Sequence, residues 1–370
     1  MTDNRRSKLR PILRIAAIVA NSLMATLLLM SAYGGIVNPL ESPYGAIIAM
    51  TFPVVLILSL LLTVVNLIWM RRMAVINGIA LLLCAGPILT FCPLNFFRPS
   101  GKAIAESDEP TLKVLTFNVF GFLDFTNNGL SYSDATIKYI LSQEADIVLC
   151  QEAVGILTDG SRVLSDGQRS EIRRIYPYVK ADHRGMSILS KYPFKQVAVE
   201  NADPNQLDLC RYDVDVNGTL LHLFSLHMQS IGLTAADKEL YRHFTEGESS
   251  ADMDKLRVGI IPKLKAAFRS RAVQARIVRE AIDETDGNIL LCGDFNDIPG
   301  SYAARTIAGD DLIDAYRHAG LGPAITYHAD RLYFRIDQMF YRGDLEALRA
   351  WVGDCPSSDH YPLLAVFRLK

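Results

Sequence analysis

The chain has 370 residues, half of them hydrophobic and 21% charged, with a formal net charge of −2. That length accommodates one large domain or two, but the charge is unevenly placed: residues 1–105 hold 9 of the 38 Lys and Arg and 2 of the 40 Asp and Glu, which leaves 29 − 38 = −9 for residues 106–370. So acidic a remainder excludes the broad basic face with which proteins grip long nucleic-acid duplexes. A phosphate substrate stays open, because a bound divalent cation inverts the local field.

Three stretches carry no charge: Ile15 to Val37, Ser42 to Met70 and Met73 to Phe97. Each exceeds the roughly 20 residues a helix needs to cross the hydrocarbon core, predicting three transmembrane helices within a membrane region over 1–98. The first, behind Arg5, Arg6, Lys8 and Arg10, also resembles a secretion signal, but its length and the two runs that follow favour an anchor. Pro87 and Pro93 interrupt the third, as in a buried core helix; its length and the flanking Arg71-Arg72 favour spanning. Basic residues concentrate on the cytoplasmic side of a membrane, which puts the N-terminus and Arg71-Arg72 inside and everything after about Arg98 outside. Only Arg98 and Lys102 oppose that orientation. The expected location is a multi-pass protein of the cell membrane, with the lipid bilayer as a partner and the polar remainder periplasmic or extracellular.

A polar linker follows over 99–110. In the remainder, 111–370, strands are predicted at Lys113–Val119, Asp146–Cys150, Met186–Ser190, Arg211–Val216, Leu220–His227, Asn288–Cys292, Ile336–Tyr341 and Leu363–Leu369, several too apolar to face water on either side. Helical spacing appears at Asp134–Gln143 and about Lys263–Ile282. Strands and helices mixed in this order predict an α/β or α+β domain with a covered sheet. Two polar, glycine-bearing segments, Asp159–Gln168 and Gln229–Lys255, show no clear period; the second is long enough to order over a site or to move. Of six cysteines, Cys84 and Cys92 fall in the third apolar run, and Cys150 and Cys292 end strands as small buried hydrophobes. Cys210 and Cys355 are left as a pair whose proximity the sequence does not establish.

Polar residues interrupt or end six of the apolar segments: Asn118 in "TFNVFG", Gln151-Glu152 in "LCQEA", His227 in "SLHMQS", Asp294 and Asn296 in "CGDFND", Asp337 in "FRIDQMF", and Asp359-His360 in "SSDHYP". Each alone reads as a cap, a turn or a hydrogen-bonded histidine. Together they supply hard oxygen ligands, amides and imidazoles, the inventory of one Mg²⁺-assisted phosphoester site.

In that order the motifs resemble the endonuclease/exonuclease/phosphatase superfamily, over roughly Lys113 to Lys370. The resemblance implies a deoxyribonuclease-I-like four-layer sandwich: two packed mixed sheets flanked by helices, here preceded by the three membrane helices. It implies Mg²⁺, with Mn²⁺ as a substitute, held by Glu152 with Asn118 beside it and Asp359 completing the cluster. Asp294 would orient and deprotonate the attacking water and Asn296 hold a phosphate oxygen. His360, oriented by Asp337, would contact the scissile phosphate, and His227 would stand near the leaving group. Arg335 reads as structural rather than substrate-binding, and His222 as structural. Tyr327 and His328 are candidates for the pocket lining, and Met186 and Ile188 for the core.

The implied activity is metal-dependent hydrolysis of a phosphodiester, in nucleic acid or a lipid headgroup. Phosphomonoesterase and sphingomyelinase-like activities are alternatives, and a catalytically silent, membrane-tethered phosphate-binding module is a reading from another class.

Overall fold

A computed structural model describes residues 2–99, 101, 104, 110–156, 163–200, 202–203, 205–246 and 252–370, with side chains from Arg14 onward except at 244–245 and 252–256. Most of the predicted linker over 99–110, and Asp159–Arg162 of the first irregular segment, lie outside the described residues. The chain divides into two compact units, one comprising Met1–Phe91 with Gly300–Tyr302, the other Cys92–Pro299 with Ala303–Lys370.

In the first unit, two helices are long and apolar enough to cross a membrane, over Arg14–Ile36 and Phe52–Trp69. The third predicted span is instead a pair, Arg71–Leu83 and Ala85–Phe91, bent by 65°. Pro87 falls in the first turn of the second member, where its missing N–H does no harm and the preceding helix cannot run on. The helices are joined by a polar contact the sequence did not announce. Asn66 and Asn77, from different helices, each donate Nδ2 to Asn21 Oδ1, at 2.6 and 2.7 Å, and all three residues are buried. Interhelical amide bonds of this kind fix helix register where apolar packing alone is permissive.

The second unit holds two six-stranded mixed sheets. One runs β11 (Leu345–Val352), β12 (Leu363–Leu369), β1 (Thr111–Asn118), β2 (Ile147–Gln151), β4 (Ser187–Ser190) and β3 (Tyr178–Ala181). The other runs β5 (Phe194–Val197), β6 (Asp208–Val216), β7 (Thr219–His227), β8 (Asn288–Asp294), β10 (Asp337–Arg342) and β9 (Ile313–Asp314). Each has one parallel pair, β1 with β2 and β7 with β8. Side chains alternate across a strand, so Leu112 and Val114, Ile147 and Leu149, Leu221 and Leu223, and Leu290 and Cys292 meet between the sheets. Their neighbours face outward. Leu115, Phe117 and Val148 pack with Ile137 and Ile140 of the helix Asp134–Ser142 and Ile172 of Asp166–Ile175. On the other sheet Phe224, Leu226, Ile289 and Leu291 pack with Ala275, Val278 and Ile282 of the helix Asp252–Asp283. Helix, sheet, sheet and helix make the four layers expected.

Four strands escaped the sequence. β3 and β5 are exposed edge strands, β9 has two residues, and β11, "LEALRAWV", is built of helix formers and carries a bulge between Ala347 and Arg349. Tertiary pairing outweighs local propensity there. The segments predicted as irregular also contain helices. Asp166–Ile175 starts at a reciprocal cap between Ser165 and Gln168, and Ala235–Glu246 and the start of Asp252–Asp283 occupy much of Gln229–Lys255. Cys210 lies between the sheets and Cys355 in the outer core of the first sheet, both as free thiols, so they do not pair.

One glycine is decisive for the site. Gly293, at φ +147°, pairs with Leu226, and a Cβ there would sit 1.9 Å from the Leu226 carbonyl oxygen. Gly293→Ala is therefore expected to pry β8 from β7 just before Asp294, costing at least ~3 kcal/mol and lowering the unfolding midpoint by roughly 6–12 °C. Scanning fluorimetry of the purified protein measures it.

Candidate functional site

The alternation that builds the inner core also builds the site. Beyond Leu112 and Val114 on β1 the same face reaches Asn118; beyond Leu221 and Leu223 on β7 it reaches His227; beyond Leu290 and Cys292 on β8 it reaches Asp294; and on antiparallel β10 it begins with Asp337. The apolar sandwich thus ends in a polar rim, where a cleft of ≈ 270 Å³ is lined by Asn118, Glu152, His227, Asp294, Asn296 and His360, with Asp359 and Tyr327 beside them.

The hydrogen bonds tie these groups together. Asn118 Nδ2 donates to Glu152 Oε1 at 2.9 Å and to Asp294 Oδ2 at 3.1 Å, bridging the two sheets. His360 Nδ1 lies 2.8 Å from Asp337 Oδ2, and its Nε2 lies 3.6 Å from Asp294 Oδ2. His227 Nε2 approaches the same Asp294 oxygen at 3.7 Å and Glu152 Oε1 at 3.8 Å. The loop bearing Asp359 and His360 is pinned by Ser358, whose hydroxyl donates to the Asn118 carbonyl at 2.7 Å and accepts from the His360 amide at 3.2 Å.

Two of these residues hold backbone conformations that ordinary side chains rarely adopt: Glu152 at φ 58° and Asn296 at φ 50°. Each is held by its surroundings. The amide of Ala153, next to Glu152, donates to the carbonyl of Gly185 in the β3–β4 turn at 2.8 Å. Asn296 donates its amide to Asp294 Oδ1 at 2.8 Å and its side chain to the Met228 carbonyl at 2.9 Å. Asn adopts this conformation readily, so it is at Glu152 that the surroundings enforce an unfavourable backbone geometry. Asp297, the last carboxylate of "CGDFND", turns the other way into a buried ion pair with Arg271 at 3.2 Å.

Electrostatics sharpen the picture. Burial works against a charged imidazole at His360, but Asp337 and Asp294 outweigh it and push the ring up to about 10. Asp294 is pushed upward by its own burial, opposed by the two histidines. Asp359 is pushed up to about 6, by burial first and then by the charges of Glu152 and Asp294. Hydroxyl ionisation of Tyr327, whose ring meets His360 edge-on at 5.1 Å, is raised by burial and then by nearby Asp359.

All eight residues expected at the site lie in this rim, with Asp337 behind His360. The neighbours singled out by sequence sort as follows. Tyr327 lines the cleft, whereas His328 turns away to stack on Tyr361. Arg335 is structural, paired with Asp314 at 2.9 Å beneath the surface, and His222 is structural, 2.7 Å from Asp213. Lys238 was missed: it lies on the unpredicted helix Ala235–Glu246, lines the cleft and pairs with Asp330 at 2.6 Å. Asp208, 3.9 Å from His227 Nδ1, was missed as well. Neither has a local signal, since each is an ordinary charge in a polar segment.

Comparison with known proteins followed the same division. A domain of unknown function matches residues 13–91. No curated protein matches the chain. Solved structures with a similar fold include an endonuclease/exonuclease/phosphatase from Beutenbergia cavernae DSM 12333 (20% identity, 70% of this chain and 72% of that one, TM-score 0.45). Another is an endonuclease/exonuclease/phosphatase family protein from Bacteroides thetaiotaomicron (16% identity, 71% and 100%, TM-score 0.47). A third is D. rerio TDP2 complexed with a single strand DNA product (16% identity, 70% and 100%, TM-score 0.44). The model of the Endonuclease/Exonuclease/phosphatase family matches residues 115–360, about two-thirds of the chain and the stretch that spans every strand end of the cleft, and the chain therefore belongs to that family.

Proposed function

We propose that the protein is a membrane-anchored phosphodiester hydrolase that depends on Mg²⁺ and carries its catalytic unit outside the cytoplasm. The observation that carries the reading is the convergence of Asn118, Glu152, His227, Asp294 and the Asp337–His360 pair, from both sheets, on one cleft. The donor set fits a hard divalent cation. Burial first, and then the charges of Glu152 and Asp294, raise the proton affinity of Asp359 against the pull of His360, so three carboxylates stand close together as hard ligands. Glu152, Asp359 and the Asn118 amide would hold the ion, whose chemistry is to neutralise charge on the phosphate and polarise it for attack.

The chain's own groups supply the rest. Asp294, its proton affinity raised by burial, is suited to take a proton from the attacking water. His360, kept charged by Asp337, places a cation against the nonbridging oxygens of the phosphate. Asn296 donates to a phosphate oxygen after release from Met228. His227, on the opposite wall, delivers a proton to the leaving oxygen.

The test is a panel of DNA, RNA, sphingomyelin and phosphoinositide substrates, offered to the detergent-solubilised protein and to its Glu152→Gln variant. EDTA is expected to abolish turnover and Mg²⁺ or Mn²⁺ to restore it; turnover untouched by both EDTA and Glu152→Gln sinks the reading. Cation binding should also depend on pH. Below about pH 6 a cation must displace the Asp359 proton, so its apparent affinity is expected to weaken about tenfold per pH unit there and to level off above it. Titration of thermal stability with Mg²⁺ at pH 5 and pH 7.5 measures this.

The anchor rests on the two apolar helices and the bent pair, and the orientation on the basic residues flanking them. A periplasmic-active reporter fused after Lys370 is expected to be active; activity of a cytoplasm-only reporter at the same position would overturn the topology.

A further inference from the structure

A second cavity adjoins the cleft. It measures ≈ 220 Å³ and shares His227 and Ser230 with the first, so the imidazole stands in the wall between them. One edge of His227 faces Glu152 and Asp294, and its other nitrogen faces Asp208 in the second cavity. Asn205, Gln206, Gln229 and Gln274 give the lining four side-chain amides beside Ser230, Leu207 and Met228, and among the described residues no Lys or Arg lines it. Asp208, the sole carboxylate of the lining, is already paired with Arg184 at 2.9 Å. The floor is built rather than incidental, because buried Gln274 accepts from the Gln229 amide at 3.0 Å and donates to the Gln206 carbonyl.

We propose that this amide-lined cavity is the subsite for the leaving alcohol, and that it selects a small, uncharged, hydroxyl-rich group such as a polyol or a nucleoside. The proposal rests on the hydrolase reading above and narrows its substrate. In the reaction, the water oxygen bonds to phosphorus while the bond to the ester oxygen breaks. The water proton passes to Asp294 and the His227 proton to the departing oxygen, giving a phosphomonoester and an alcohol. Exchange with solvent then returns one proton from Asp294 and one to His227. The departing alcohol is released on the His227 side, where Asn205 and Gln206 each commit one amide N–H to Asp203 and Gln229 one to the Ser230 carbonyl, leaving the second N–H of each for hydroxyls. A leaving group bearing further phosphates finds the nearby Arg184 already paired with Asp208, and a quaternary ammonium finds that carboxylate, the one among the described lining residues, already engaged. Desolvating an unpaired charge is costly, so both are discriminated against.

The experiment measures kcat/KM of the detergent-solubilised full chain with Mg²⁺ on matched diesters, counted as release of the free inositol, ring-phosphorylated inositol, choline, nucleoside or nitrophenol and not of glycerol. The diesters are bis(4-nitrophenyl) phosphate, glycerophosphoinositol, the same compound phosphorylated on the inositol ring, glycerophosphocholine and a dinucleoside monophosphate. The inositol or the nucleoside diester is expected to exceed both the ring-phosphorylated and the choline diester at least ~10-fold, and the faster of the two identifies the alcohol. Asn205→Lys, on an exposed turn, should shift the ratio of ring-phosphorylated to neutral turnover at least ~10-fold toward the phosphorylated diester, a ratio that is independent of the fraction folded. Turnover of the nitrophenyl diester with no such preference, or an unmoved ratio in Asn205→Lys, overturns the subsite alone. If no diester is turned over at all, the hydrolase reading fails and the subsite with it.

Discussion

Asp294→Asn protein is expected to lose at least ~10³-fold in kcat while keeping its fold, and to unfold at the same temperature as the parent or slightly above it. The two halves of this expectation have one cause. Asp294 is 1% exposed and its burial opposes the charged form, so the native state bears a cost for holding an anion there. An amide of the same shape removes that cost. On the proposed mechanism the same substitution removes the acceptor for the water proton, and general-base contributions commonly run to about 10²–10⁴. It also leaves the Asn118 amide facing another amide where it now faces a carboxylate at 3.1 Å. Steady-state kinetics beside scanning fluorimetry decide the matter: normal turnover refutes the assigned base, and a large loss of stability shows that the residue serves packing instead.

The second large effect is expected at the Asp337–His360 pair, where function and stability fall together. Both side chains are nearly inaccessible, and removing one partner of a buried ion pair costs about 3–5 kcal/mol because the other charge is stranded. His360→Ala is therefore expected to abolish turnover and destabilise the catalytic unit, whereas His360→Gln, which refills the space, should abolish turnover at a smaller cost. The pH dependence has a definite sign. His360 is raised in the folded state above its ordinary value near 6.5, so its stabilising contribution is complete below that value and is lost as pH rises through about 10. The stability gap between the parent and His360→Gln should accordingly be wide at pH 6 and close toward pH 10. A gap that is constant with pH would mean the ring acts through shape and not charge.

The neutral amides around the second cavity give the site a division of labour. In the proposed reaction the first cavity gathers the carboxylates and imidazoles whose charge changes, and the second adds neutral amides beside Asp208 and the shared His227.

The sequence by itself determined the sandwich strands that are buried on both faces, and it picked out the polar residues that meet in the cleft. A strand's period of two carries an apolar pattern to its end, so a polar residue in phase with the inner face, as at Asn118, His227, Asp294 and Asp337, is visible as an interruption without any coordinates. Long uncharged runs are equally legible, because a bilayer's thickness converts directly into a count of residues. Only the tertiary structure decided the rest. β11 is a strand because β12 pairs with it, against the preference of its own residues. The third apolar run is bent at Cys84 because Pro87 ends one helix and opens another. Asn21, Asn66 and Asn77 find each other only once their helices pack. Lys238 and Asp208 carry no local mark of their place in the cavity walls, since a charged residue in a polar segment is solvated by default, and it comes to line a cavity only when distant strands place one against it.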